Sequence, residues 1–86
     1  MKLIITITPG QVSEDIRLAL TEQKFRVTQI ASTGGFLRKG NSTMLVGVED
    51  EQLDHAIDVI KTITDQSDDK NKGVMFVIKV DRFIHF

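Results

Sequence analysis

The amino-acid sequence predicts an α+β ferredoxin-like βαββαβ sandwich, a four-stranded antiparallel sheet with two helices on one face. Three observations lead there. Two stretches of helical period are each flanked by runs of two-residue alternation, and a glycine-rich segment joins the two halves. Right-handed crossovers close two such βαβ halves into one sandwich. Eighty-six residues suffice for a single domain spanning residues 1–86 and for no second core.

The elements follow in order. Lys2 to Thr8 alternates Leu3, Ile5 and Ile7 against Lys2, Ile4, Thr6 and Thr8, and Pro9-Gly10 closes this first strand. From Val12 the period lengthens: Val12, Ile16, Ala19 and Leu20 share one face of a helix ending near Lys24, with Ser13 as its candidate cap. Phe25 to Ser32 is a second strand whose alternation loses phase near Gln29, the mark of a bulge. Thr33 to Ser42 reads as a loop and Thr43 to Val48 as the third strand. Glu49-Asp50-Glu51-Gln52 opens the second helix, its anions suiting the positive end of the dipole and Asp50 its cap. Leu53, Ala56, Ile57, Ile60 and Ile63 mark that helix's buried stripe. Asp65 to Gly73 is a polar loop, Val74 to Val80 the fourth strand, and Asp81 to Phe86 a tail with three large apolar side chains.

Composition narrows the function. Eleven basic residues against 12 acidic give a net charge of −1, which argues against a nucleic-acid coat or a polybasic membrane binder. Without cysteine there is no disulfide, thiolate nucleophile or cysteine zinc site. The apolar run before Pro9 is too short for a signal peptide, and no run approaches the ~20 residues of a membrane span. The expectation is a soluble cytoplasmic protein with neither nucleic acid nor membrane as partner.

The fourth strand is apolar on both sides, Val74, Phe76, Ile78 and Val80 on one and Met75 and Val77 on the other. Ile4 and either Leu45 or Met44 are expected to join the sheet face turned away from the helices. A one-sided antiparallel sheet would carry polar residues there. Burying such a face removes apolar area worth roughly 25 cal/mol per Å². A small chain without staples therefore reads as a homo-oligomer packed through its open sheet faces, with Phe83 and Phe86 closing the contact.

Catalysis finds little footing. No serine–histidine–acid spacing or glycine–serine elbow is present. His55 sits among Gln52, Asp54 and Asp58 on a helix flank, a solvated position. His85 lies in the tail, four residues after Asp81, where it could meet a metal or a base edge. Asp54–Asp58 and Asp65–Asp68–Asp69 lack the ordered spacing of a calcium loop. No catalytic residue, metal or cofactor is expected. An acyl-phosphatase reading of the same fold wants a phosphate-cradling loop after the first strand, and Thr8-Pro9-Gly10-Gln11 offers few donors. The segment with unexplained composition is Gly34 to Asn41. Phe36 and Leu37 stand at a glycine-flanked tip beside Arg38 and Lys39, which suits a ligand with flat rings and phosphates, and equally a contact with a neighbouring subunit. Leading from strand to strand, it is neither a Walker loop nor a Rossmann turn.

Met1-Lys2-Leu3-Ile4-Ile5, Phe25-Arg26-Val27-Thr28, Ser32-Thr33-Gly34-Gly35-Phe36-Leu37-Arg38-Lys39-Gly40-Asn41-Ser42-Thr43, Val46-Gly47-Val48-Glu49-Asp50-Glu51 and the ending Val74-Met75-Phe76-Val77-Ile78, with Phe83 and His85-Phe86, resemble the PII-like cyclic di-AMP receptors of Gram-positive bacteria. The resemblance covers about residues 1–64 and 73–86. It implies a homotrimer that binds cyclic di-AMP, or a related adenine nucleotide, in clefts between subunits and signals by loop rearrangement without catalysis. It carries over Arg26, Thr28, Gly35, Phe36, Leu37, Asn41, Gly47 and Phe76 as ligand contacts. Arg26 and Arg38 would serve phosphate or sugar, Thr28 and Asn41 base edges, and Phe36, Leu37 and Phe76 apolar walls, with His85 a further candidate. The sequence departs from the family in a shortened loop before the last strand, and in Lys24, Lys79 and His85, which replace asparagine, proline and glutamine. The alternative is a shortened paralogue that no longer binds nucleotide and acts as a protein-interaction module through Phe36 and Leu37, its protein target unknown.

Overall fold

The first strand, β1 (Lys2–Pro9), is paired on both edges. It is followed by α1 (Gly10–Glu22), β2 (Val27–Ser32), β3 (Asn41–Val48), a single 3-10 turn at Asp50–Gln52, α2 (Leu53–Gln66) and β4 (Val74–Lys79). This computed structural model describes residues 1–32, 40–67 and 73–86. The sheet order is β2-β3-β1-β4, every pairing antiparallel, as the ferredoxin-like expectation requires. The anticipated bulge lies in β2, where the register with β3 shifts between Gln29 and Ala31. Among the described residues no helix is long and apolar enough to cross a membrane.

The core forms between one sheet face and the two helices. Ile4, Met44, Val46 and Val48 from the sheet meet Val12, Ile16 and Leu20 of α1, Ala56 and Ile60 of α2, and Phe25. This corrects the facing expected for β1. Ile4 is fully buried in that core, and Lys2, Ile4, Thr6 and Thr8 form the row on the helix side. Leu3, Ile5 and Ile7 face the other way. In β3 it is Leu45 that points outward while Met44 is buried. The reason lies in side-chain volume and hydroxyl pairing. Thr8 and Ser42, directly opposite one another, sit beneath the first turn of α1, and Ser13 hydrogen-bonds the Thr8 hydroxyl. The Ser13 hydroxyl also donates toward the carbonyls of Thr8 and Ser42, each at 3.4 Å.

Ser13 is therefore a buried helix residue and not the cap. α1 begins at Gly10 directly after Pro9, whose extended backbone (φ −55°, ψ 149°) ends the strand. The Gly10 N–H donates to Gly40 at 3.1 Å. The far end of α1 closes with two reverse bonds, Lys24 N–H to Thr21 and Phe25 N–H to Leu20, each 2.9 Å. That pattern needs a left-handed residue between them, and Lys24 takes it with φ 69°. Asparagine and glycine adopt this conformation at lower cost than lysine.

At the start of α2 the anticipated cap also moves. Glu49 is the residue that precedes the 3-10 turn, and its N–H is met by the Gln52 side chain at 3.1 Å. The Asp50 side chain instead pairs with Met1 and Lys2.

Gly73 enters β4 with φ 95°, and a Cβ there would lie 2.2 Å from the Ile7 carbonyl oxygen. Gly73→Ala should lower stability by more than about 1 kcal/mol. Lys24→Gly, relieving a left-handed lysine, should raise it by roughly 0.5–1 kcal/mol. Chemical denaturation of both variants checks the pair, and a Gly73→Ala midpoint equal to the parent's would contradict the close fit of Gly73 against Ile7.

Candidate functional site

Antiparallel pairing assigns the open face residue by residue. Thr28 stands opposite Leu45, Leu45 opposite Ile5, and Ile5 opposite Phe76. These four form one row across all four strands, so Thr28 and Phe76 occupy opposite edges, three strand spacings or about 14 Å apart. Leu3, Ile7, Val74 and Ile78 flank the row. Val74, Phe76 and Ile78 are about half exposed, so much of this apolar face meets solvent in the single chain.

At one end of the face lies a hollow of about 450 Å³. Arg26 and Thr28 line it from the start of β2, Gly47 and Leu45 from the end of β3, Leu3 from β1, and Val80 and Phe83 from the chain after β4. Met1 and Lys2 complete its wall. The arrangement offers a guanidinium, a hydroxyl, a strand face without a side chain and an aromatic ring. Those are groups suited to phosphate, a base edge, close approach of a ring, and stacking, in that order. A larger hollow of about 660 Å³ between the helices carries Asp15 and Glu22 and holds none of the residues anticipated from sequence. Its acidic lining is unsuited to a phosphorylated ligand.

The anticipated residues separate into groups. Arg26, Thr28 and Gly47 meet in the hollow. Phe76 shares their face at the far edge. Asn41 starts β3 opposite Pro9, six residues or about 20 Å along the strand from Gly47. His85 is exposed in the tail, its ring 6.5 Å from that of Phe83. Gly35, Phe36, Leu37 and Arg38 lie outside the described residues. His55 stays exposed, bonded to Gln23 at 3.2 Å and tilted against Phe25. No cluster of three metal-ligating side chains occurs among the described residues. Met1, Leu3, Val80 and Phe83 were not anticipated as site residues. The parity of β1 would have identified two of them, because Met1 and Leu3 share the face of Gly47.

One charged cluster borders the hollow. The Asp50 carboxylate accepts from the Lys2 ammonium at 3.0 Å and from the amino group of Met1 at 3.0 Å. The Lys2 hydrogen bond, then that of the amino group, holds the Asp50 carboxyl below its ordinary range. The Met1 carbonyl meanwhile accepts from the Val80 N–H at 3.1 Å, tying the first residue to the segment after β4.

Fold and face together define a PII-like sheet sandwich with an apolar, ligand-sized hollow at its edge. The family model for cyclic-di-AMP receptors matches residues 1–71, and the chain belongs to that receptor family. Its structure is also similar to the crystal structure of a functionally unknown protein from Pediococcus pentosaceus, with a TM-score of 0.81 and 26% sequence identity. That likeness covers 99% of this chain and 96% of the other.

The Asp50 cluster makes a pH prediction. A carboxylate with a lowered folded pKa stabilises fully above its unfolded value of about 3.9, and the stabilisation is lost as pH falls through the lower folded value. Asp50→Asn removes that contribution. The melting-temperature difference between parent and Asp50→Asn should therefore shrink toward zero from about pH 6 to about pH 2. A difference independent of pH would refute the pairing.

Proposed function

We propose that this chain is a PII-like signal receptor that binds cyclic di-AMP, or a related adenine nucleotide, in clefts between the copies of a homotrimer. Ligand occupancy would be signalled through rearrangement of the segment joining β2 and β3. Membership of the cyclic-di-AMP receptor family carries this reading. The geometry supports it in a second way. Thr28 and Phe76 occupy opposite edges of one apolar face, so no single chain closes them around a ligand. Two copies meeting through their open sheet faces would bring one copy's Arg26, Thr28 and Gly47 toward another's Phe76, and would cover the half-exposed β4 row. Arg26 and Arg38 then serve phosphate or sugar, Thr28 and Asn41 base edges, and Phe36, Leu37 and Phe76 the apolar walls, with His85 as an additional contact from the tail. No cofactor is called for beyond the nucleotide ligand itself.

Titration calorimetry against cyclic di-AMP, cyclic di-GMP and ATP tests the proposal, with binding expected for cyclic di-AMP. Arg26→Ala should weaken it by about tenfold or more, since a hydrogen bond to a charged group is worth roughly 1.5–3 kcal/mol. Phe76→Ala removes a stacking surface of roughly 1–3 kcal/mol. Absence of heat with all three nucleotides at high protein concentration would overturn the ligand reading. Sedimentation of a single-chain species at micromolar dilution would overturn the shared cleft.

The shortness of the connection from Gln66 to Val74 favours a second reading, a paralogue that has lost its nucleotide and acts as a protein-interaction module. In that case Phe36→Ala abolishes capture of a partner while nucleotide binding is absent before and after.

A further inference from the structure

We infer that Met1 is a ligand-contacting wall of the hollow beside Arg26, and that Asp50 is the residue that positions it. The inference rests on the nucleotide-binding reading above and extends it to two residues that reading does not use.

The geometry begins at Gly47. With no side chain of its own, this residue leaves a bare patch on the open face, and the Met1 methyl carbon lies 3.6 Å from the place a Cβ would occupy. The end of the Met1 side chain thus lies against the strand at Gly47. Its neighbours around the hollow are Arg26, Thr28 and Phe83. A thioether is polarizable and unbranched, and sulfur–aromatic contacts are favourable at about 5 Å. A purine seated over Gly47 in the hollow would touch the Met1 side chain.

Met1 is tied at both ends of its backbone. Its amino group is 3.0 Å from the Asp50 carboxylate, and its carbonyl accepts from the Val80 N–H at 3.1 Å. Lys2, bonded to the same carboxylate at 3.0 Å, steadies Asp50 in turn. The second tie matters for the site because Val80 also lines the hollow. One residue therefore links the Gly47 face, the start of the α2 connection and the chain leading to Phe83. Asp50 acts through Met1 and not on the ligand, which makes it a positioning residue.

The sequence contains three methionines, and the other two report from elsewhere. Met44 is buried in the core, and Met75 packs against that core from the helix side. Isotope-labelled methionine methyl groups followed by NMR during titration with cyclic di-AMP therefore separate the three positions. The expected result is a ring-current shift of the Met1 methyl, with Met44 and Met75 nearly still. Asp50→Asn should move the Met1 resonance in the free protein and weaken cyclic di-AMP by about two- to fivefold, the range for an exposed ion pair. Asp50→Glu should restore most of that loss. If calorimetry shows cyclic di-AMP binding while the Met1 methyl does not move, the inference is overturned and the receptor reading stands. Unchanged affinity in Asp50→Asn overturns the positioning role of Asp50. Absence of binding by the parent protein removes the receptor reading, and this inference with it.

Discussion

The structure depends on the double pairing of β1. Held between β3 and β4, this strand has both edges hydrogen-bonded and both faces committed, so a slip of one residue would exchange its two rows wholesale. The row it gives its own helices is Lys2, Ile4, Thr6 and Thr8, and the row it turns outward is Leu3, Ile5 and Ile7. The more apolar row thus faces away from the chain's own core. A solitary chain would gain by the reverse choice, because burying a hydroxyl without a partner costs about 1–3 kcal/mol. Thr6 Oγ1 is such a hydroxyl, buried and without a hydrogen-bond partner among the described residues. The outward row has continuous company in Leu45, Phe76, Val74 and Ile78, and this continuity is what the proposed association between copies would cover.

Element order and type were legible because each rests on local periodicity. β2 betrayed its bulge by a loss of phase at Gln29, and the buried stripe of α2 carries Ala56 and Ile60 as read. Facing and capping were less legible, for a shared physical reason. Hydrophobicity alone assigns Leu3, Ile5 and Ile7 to the helix side. The buried hydroxyl row instead shares a contact in which Ser13 joins the nearby Thr8 to Ser42, 29 residues away, and that last partner no window of neighbouring residues displays. Capping failed in the same manner. Ser13 and Asp50 are both good cap residues by type, but Pro9 and Glu49 hold those positions, and tertiary partners claim the two side chains.

The site divides along the same line. Arg26, Thr28 and Gly47 were read from motif resemblance, and the fold brings them into one hollow. Met1, Leu3, Val80 and Phe83 were not anticipated in the lining of that hollow, because their place there follows from the parity of β1 and from where the chain goes after β4. The anticipated loop residues, Gly35 to Arg38, lie outside the described residues, but both ends of their connection are fixed. Ser32 pairs with Ser42, and Gly40 accepts from the first N–H of α1. The connection therefore leaves the sheet at the Asn41 end of β3, about 20 Å from Gly47.

That separation bears on how a ligand would be recognised. A residue set spread over both ends of β3 and both edges of the sheet cannot converge inside one chain, since antiparallel strands keep their spacings and a sheet of four does not fold back on itself. In the proposed receptor, convergence would come from laying the outward row of one copy against another, the same association proposed for the face that β1 turns outward. The step that turns the half-buried Leu3, Ile5 and Ile7 outward in the single chain goes with the placing of Thr28 and Phe76 on opposite edges, since one register of β1 with its neighbours sets the open row. Within that frame the ion pair of Asp50 with Lys2 and Met1 is small in energy as an exposed interaction. Its consequence is geometric, because it fixes where the first residue of the chain lies on a face that otherwise offers only backbone at Gly47.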